Sequence, residues 1–153
     1  MQKREYWTGD KITSIAPNEI FVFGSNPSGV HGAGAAKDAL TFGAVPKRGR
    51  GLYGQTYALV TKNLFKGYRE YSTGIVYEQD GYRSVSKEMI INNIKELYKV
   101  ARSNPQLDFL ITYQYNRYPN GQPKPSLNGY SPDELIEMFT ADTVPKNIIF
   151  HES

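Results

Sequence analysis

The chain has 153 residues, of which 39% are hydrophobic and 22% charged, a composition typical of a globular protein that argues against a disordered one. It contains no cysteine, which excludes disulfides and thiolate metal sites, and its net charge of +3 is small for a dedicated nucleic-acid-binding protein. No apolar run approaches the roughly 18 residues that a membrane span needs, and no leader segment is evident. We expect one cytoplasmic domain over residues 1–153, without membrane attachment.

The first predicted elements are two strands. Residues 11–15 bring polar and apolar side chains in turn and predict a half-buried strand that ends at Pro17. Residues 19–23, a short apolar run of aromatic and β-branched side chains, predict a buried central strand. Residues 24–29 are mostly turn formers, so the second strand should stop there.

A helix, a basic loop and a third strand follow. Residues 33–42 are rich in alanine and predict a helix, which Gly43 should end as its C-terminal glycine. Residues 47–55 form a glycine-containing loop in which Lys47, Arg48 and Arg50 either attract phosphates or are simply solvated. Residues 56–61 then predict another strand.

The second half predicts two capped helices, each followed by a strand. Residues 86–102 carry one apolar stripe at helical spacing, with Ser86 as N-cap and Asn104-Pro105 as the stop. Residues 108–113 predict a strand, and 117–124 a polar loop. Residues 131–134 (Ser-Pro-Asp-Glu) match a capping box and open a helix through Phe139, before a last strand at 147–150. This alternation implies a three-layer α/β fold with a mainly parallel, mixed sheet.

The order strand, glycine loop, helix over residues 19–42 predicts a ligand site. Ligands of open α/β sheets bind beyond the carboxyl ends of strands, and a helix start with small residues exposes amides that favour phosphate. The chain has no Gly-Lys-Ser/Thr, so it contains no P-loop, and the glycines after this strand do not form the G-x-G-x-x-G of a dinucleotide-binding Rossmann site, which speaks against that type of site here. The alternative is a tight turn that binds nothing.

Residues 23–36 (Phe-Gly-Ser-Asn-Pro-Ser-Gly-Val-His-Gly-Ala-Gly-Ala-Ala) resemble the first ligand loop of macrodomains. They look closest to a divergent branch of bacteria and tailed phages, described as ADP-ribose-1″-phosphate processing proteins. That branch also carries a Gly-Gln-Ser/Thr-Tyr-Ala strand, matched here by residues 54–58. The resemblance implies a macrodomain-like fold and binding of an ADP-ribose-type ligand, in the host cytoplasm if a phage encodes the chain.

The resemblance also implies roles for matching residues. Asn26 would address the distal ribose, and His31, a residue type often used for proton transfer, could act as general base or acid; these two are the candidate catalytic residues. The second ligand loop would lie at residues 126–131. The candidate ligand-binding residues are Gly24, Ser25, Gly29, Gly32, Ala33, Gly34, Ala35, Gln55, Asn128, Gly129 and Tyr130.

Two functions stay open at this point. The first is hydrolysis without metal or cofactor, by a phosphatase acting on ADP-ribose-1″-phosphate or by an ADP-ribosyl hydrolase. The second is binding without chemistry, because Phe23 replaces the first asparagine of the general macrodomain pattern. Nucleic-acid binding through residues 47–50 is a weaker third possibility. Protein partners cannot be inferred from the sequence.

Overall fold

A six-stranded sheet forms the centre of the molecule, of which the computed structural model describes residues 6–7, 12–113, 118–122 and 126–151. The strands of this sheet are β1 Tyr6–Trp7, β2 Glu19–Ser25, β3 Gly51–Tyr53, β4 Thr56–Val60, β7 Asp108–Ile111 and β8 Ile148–His151, and a separate hairpin pairs β5 Tyr68–Arg69 with β6 Val76–Tyr77. The strand order in the sheet is β1-β8-β7-β2-β4-β3, and all neighbouring strands are parallel except β3, which is antiparallel to β4.

Helices cover both faces of the sheet, because the side chains of the central strand β2 alternate between two apolar cores. Ile20 and Val22 pack in a core with α2 Lys87–Ser103 and α3 Pro132–Phe139. Phe21 and Phe23 pack on the opposite face with α1 Gly34–Ala39 and the short 3-10 helix Leu40–Phe42 that continues it. The predicted α/β architecture with a mainly parallel, mixed sheet is confirmed.

The predicted helix signals are confirmed at both long helices and at Gly43. The Ser86 side chain accepts a hydrogen bond from the Met89 amide at the start of α2. Ser131 and Glu134 form a reciprocal capping box at the start of α3, with Pro132 as the first helical residue. Gly43 has a left-handed backbone (φ 112°) at the end of the 3-10 helix.

Several short elements differ from the sequence prediction. The described residues 12–15 form no strand: Ile12 and Ile15, three positions apart, instead pack as a loop against the α1 side of the sheet. Residues 51–53 belong to strand β3, inside what we predicted to be a loop. Strand β1 and the β5–β6 hairpin were not predicted, since two-residue strands contain no periodic pattern.

The sheet has a topological switch point between β2 and β7. These neighbouring strands are parallel, and the helix that follows β2 lies on one face whereas the helix that follows β7 lies on the other. The two chain segments therefore separate at the carboxyl ends of the strands and leave a crevice between them, which is the usual ligand position in open α/β sheets.

Candidate functional site

A cleft of about 480 Å³ opens at this switch point. Its walls come from the segments that follow β2, β4 and β7 and from the first turns of α1 and α3. The lining residues are Gly24, Ser25, Asn26, Val30, Gly32, Ala33, Ala35, Ala36, Thr61, Lys62, Leu64, Thr112, Tyr113, Ser126, Leu127, Asn128, Pro132 and Leu135. The volume lies within the roughly 300–1,000 Å³ common among small-molecule sites. Of the thirteen predicted site residues, Gly24, Ser25, Asn26, Gly32, Ala33, Ala35 and Asn128 line it.

Asn26 organises the loop between β2 and α1. Its buried side-chain oxygen accepts hydrogen bonds from the Val30 amide (3.0 Å) and the Ser28 hydroxyl (2.8 Å). Its amide nitrogen donates to the Val30 carbonyl (2.8 Å). The acceptor lone pairs of the Asn26 side chain are therefore engaged within the loop, and one N–H of its amide has no partner among the described residues.

Tyr113 forms the floor of the cleft. It follows β7, yet its hydroxyl lies 3.1 Å from the Thr61 hydroxyl beyond β4, so the ring spans the end of the intervening strand β2. A Cβ atom on Gly24 would lie 2.3 Å from the Tyr113 hydroxyl, so this crossing requires glycine at position 24. Burial raises the pKa of Tyr113 to about 12, still further above neutral pH than the roughly 10 of an exposed tyrosine.

The wall opposite α1 is the loop 126–130, which Asn128 holds in shape. The buried Asn128 side chain accepts hydrogen bonds from the Ser126 hydroxyl and from the Tyr130 amide (3.0 Å), and donates to the Tyr113 hydroxyl (3.4 Å). Gly129, with φ 88°, passes close to Tyr82 and Arg83. Asn128 thus connects this wall to the floor.

Several predicted site residues lie away from the cleft lining. The His31 ring is buried, its Nε2 lies 3.2 Å from the carbonyl oxygens of Val45 and Arg48, and its edge contacts Phe23. Since both neighbours of Nε2 are acceptors, this nitrogen carries the proton; Nδ1 is buried with no hydrogen-bond partner among the described residues. His31 therefore fixes the 45–48 segment against the glycine loop.

The other outlying residues have structural contacts. Gln55 donates to the carbonyls of Ala16 (2.8 Å) and Glu19 (3.2 Å), where β2 begins. Tyr130 is a core residue whose hydroxyl donates to Val85 (2.6 Å). The remaining three are Gly29, Gly34 and Gly129, none of which lines the cleft.

The basic loop contributes less positive charge to the surface than its sequence suggests. Arg50 makes two hydrogen bonds to Glu70 (2.9 and 3.0 Å) and further ones to Asn93 and Glu96. Its guanidinium is therefore committed to the protein itself. Nucleic-acid binding through residues 47–50 would therefore depend on the two remaining cations, Lys47 and Arg48.

Sequence reasoning missed the hydroxyl groups of the cleft. Thr61 and Thr112 each follow a buried strand, and the Thr112 hydroxyl donates to the Val22 carbonyl (2.7 Å). Their position at the carboxyl ends of two predicted strands, 56–61 and 108–113, could have identified them, because the carboxyl ends of parallel strands meet at one edge of a sheet. Ser126 adds a hydroxyl from the opposite wall.

In the described part of the chain, no three acidic or histidine side chains cluster where they could hold a metal ion, and no helix has the length and apolar character that crossing a membrane requires. No protein-family model, curated protein or solved structure matches the chain. The resemblance of residues 23–36 to macrodomains therefore remains an expectation from the sequence.

Proposed function

We propose that the cleft binds a phosphorylated nucleotide of the ADP-ribose type. The observation that carries this proposal is the cleft of about 480 Å³ at the switch point, with a wall built from the backbone of small residues. Gly32, Ala33 and Ala35 line it, so no long side chain keeps a pyrophosphate from the main chain. The resemblance of residues 23–36 to a macrodomain loop selects ADP-ribose within this ligand class.

The polar groups around the cleft suit such a ligand. Ala33 at the N-cap of α1 provides no side-chain hydrogen bond, so no side chain of the described residues caps the amides of the first turn, and these amides can bind phosphate oxygens. Lys62 adds a positive charge, and the hydroxyls and amides of the walls can bond ribose. Val30, Leu64 and Leu127 add apolar surface to the walls of the cleft.

The described groups favour binding over hydrolysis. Among the lining residues that the structure describes, Lys62 and Tyr113 are the titratable ones, and Tyr113 holds its proton at neutral pH. A general base or acid must reach the reacting atoms with a pKa near the working pH, and His31 lies outside the lining. We therefore expect ADP-ribose-1″-phosphate to be recovered intact from a single-turnover incubation with stoichiometric protein.

Calorimetry against ADP-ribose, ADP-ribose-1″-phosphate, NAD and AMP tests the binding proposal. Ala35→Glu places a negative charge in the wall next to the ligand phosphates, and we expect affinity for ADP-ribose to fall at least about tenfold. Acidic residues in the first turn of a helix favour the helix, but Ala35 is half-buried against the core on the α1 face, so thermal unfolding must first show that Ala35→Glu is folded.

Thr41→Glu is the matched control, because it adds the same charge at an exposed position in the 3-10 helix that follows α1. Its affinity for ADP-ribose should equal that of the unmodified protein. Absence of ADP-ribose binding, or equal binding by Ala35→Glu and Thr41→Glu, would contradict the proposal.

A further inference from the structure

Lys62 is the one cationic side chain among the cleft-lining residues that the structure describes. Its ammonium nitrogen lies 5.2 Å from the centre of the Tyr82 ring, over the ring face. A cation–π contact at an exposed site is weak compared with a charge-assisted bond to phosphate. A phosphate in the cleft would therefore draw the ammonium away from the ring.

Tyr82 is not itself a lining residue, but its ring contacts the lining residue Lys62, and the residue is 70% exposed. The Tyr82 Cβ atom lies so close to Gly129 that a side chain at position 129 would collide with it, and Gly129 follows the lining residue Asn128. Two cleft-lining segments thus flank the ring. Because the Tyr82 ring is so exposed, it can stack on a nucleobase without giving up packing contacts in the core. Every nucleobase has a flat ring face, so such stacking does not depend on which base the ligand carries.

We propose that Lys62 and Tyr82 form a coupled rim of the cleft that recognises a phosphate and a base together. The Lys62 ammonium leaves the Tyr82 ring for a ligand phosphate, and the ring face it uncovers stacks on the ligand base. This inference rests on the proposed nucleotide binding and adds the residues that select a phosphorylated, base-bearing ligand. Neither Tyr82 nor this exchange follows from the strand–loop–helix pattern.

The test compares ADP-ribose affinity by calorimetry at low and at physiological ionic strength. For Lys62→Met, affinity should be about tenfold lower at low ionic strength, and the dependence on salt should be much weaker than in the unmodified protein. For Tyr82→Leu, affinity should fall about tenfold at both ionic strengths, with the salt dependence retained. Lys99→Met on α2 and Tyr71→Leu, a fully exposed tyrosine, are matched controls that should change neither quantity.

The sign of the Tyr82→Leu effect is the sharpest criterion. If the ring only holds Lys62 away from the ligand, its removal would strengthen binding, and that result would overturn the inference. Unchanged affinity in both variants, beside clear binding by the unmodified protein, would overturn the rim while leaving the proposed function intact. Absence of ADP-ribose binding by the unmodified protein would remove the proposed function, and the rim with it.

Discussion

At the scale of single residues, the glycines of the first loop differ in what a side chain would meet. A Cβ on Gly29 would lie 2.3–2.5 Å from the backbone of Lys47 and Arg48, and one on Gly49 would lie 1.9 Å from the Asn26 carbonyl oxygen. These two glycines let two loops pass at backbone distance. Gly32 has no atom within 4 Å of such a Cβ, and it lies open at the cleft. Gly29 and Gly49 are thus required where the two loops cross, whereas Gly32 leaves the wall of the cleft open.

Gly24→Ala should destabilise the protein by about 1–3 kcal/mol, because the new methyl group would collide with the Tyr113 hydroxyl. Tyr113→Phe in the same chain removes the atom at 2.3 Å and leaves the ring carbon at 3.2 Å, so the double variant should recover part of the loss. Urea unfolding gives the free energies of unfolding of Gly24→Ala, of Tyr113→Phe and of the double variant. Gly32→Ala is the control and should be neutral or slightly stabilising; additive effects of Gly24→Ala and Tyr113→Phe would contradict the proposed collision.

The sequence could place the candidate cleft, but not the orientation of its side chains. Strand, turn and helix are adjacent in the chain, so local pattern was enough to place residues 24–36 beside it. The direction of His31 depends instead on the carbonyls of Val45 and Arg48, at least fourteen positions away. Tyr113 likewise reaches Thr61 from 52 positions away. Contacts between segments distant in sequence leave no periodic signal in the chain.

At the scale of elements, the start of α3 shows how local signals fix a helix. Glu134 accepts a hydrogen bond from the Ser131 amide (3.1 Å), and its second oxygen contacts Lys87 (2.9 Å) and Arg83. The hydrogen bond from Lys87, then those from Ser131 and Arg83, lower the pKa of Glu134 to about 2. This carboxylate therefore joins the cap of α3 to the first turn of α2.

Glu134→Gln should lower the free energy of unfolding at neutral pH by about 0.5–1 kcal/mol, a value that takes account of the partial exposure of the ion pair. Glutamine can keep the capping hydrogen bond but carries no charge. Because the pKa of Glu134 is lower in the folded protein than the roughly 4.3 of an unfolded chain, its contribution is present above that value and is lost as pH falls towards 2. Denaturant unfolding from pH 7 to pH 2.5 should show the two proteins converging.

Glu137→Gln, at an exposed position one turn later, is the control and should change stability little at any pH. A difference between Glu134→Gln and the unmodified protein that stayed constant down to pH 2.5 would indicate lost packing rather than lost charge.

Helices and central strands were predictable because each depends on neighbours in the sequence. Neighbouring residues of the apolar stripe of α2 are about one turn apart, and the Ser86 cap and the capping box of α3 each lie within one turn. The edge strand β3 depends on pairing with β4, and its glycine start gives it a loop-like composition. The strand predicted at 11–15 is absent from the described residues 12–15 because the pattern does not fit a strand. Ile12 and Ile15 are three positions apart, so they would lie on opposite faces of a strand and could not both pack against the same core.

At the scale of the whole molecule, one buried ion pair connects three elements that are distant in sequence. Arg50 precedes β3, Glu70 lies in the turn after β5, and Asn93 belongs to α2. Burial alone would raise the pKa of Glu70, but hydrogen bonds from Arg50, Thr73 and Tyr77 lower it below its ordinary value. The side chains of Arg50 and Glu70 are 11% and 4% exposed, so the pair is largely desolvated.

Glu70→Gln should lower the free energy of unfolding by about 3–5 kcal/mol, because it leaves the buried Arg50 charge without its main partner. Replacing both partners, as in Arg50→Met with Glu70→Leu, should cost less than Glu70→Gln alone, since no unpaired charge remains in the interior. Asp142→Asn breaks the exposed pair with Lys95 (3.7 Å) and should cost at most about 1 kcal/mol. Urea unfolding at neutral pH ranks the three variants. If Glu70→Gln were as mild as Asp142→Asn, water would have to reach Arg50, and the hairpin would be attached to the sheet by packing instead of by charge.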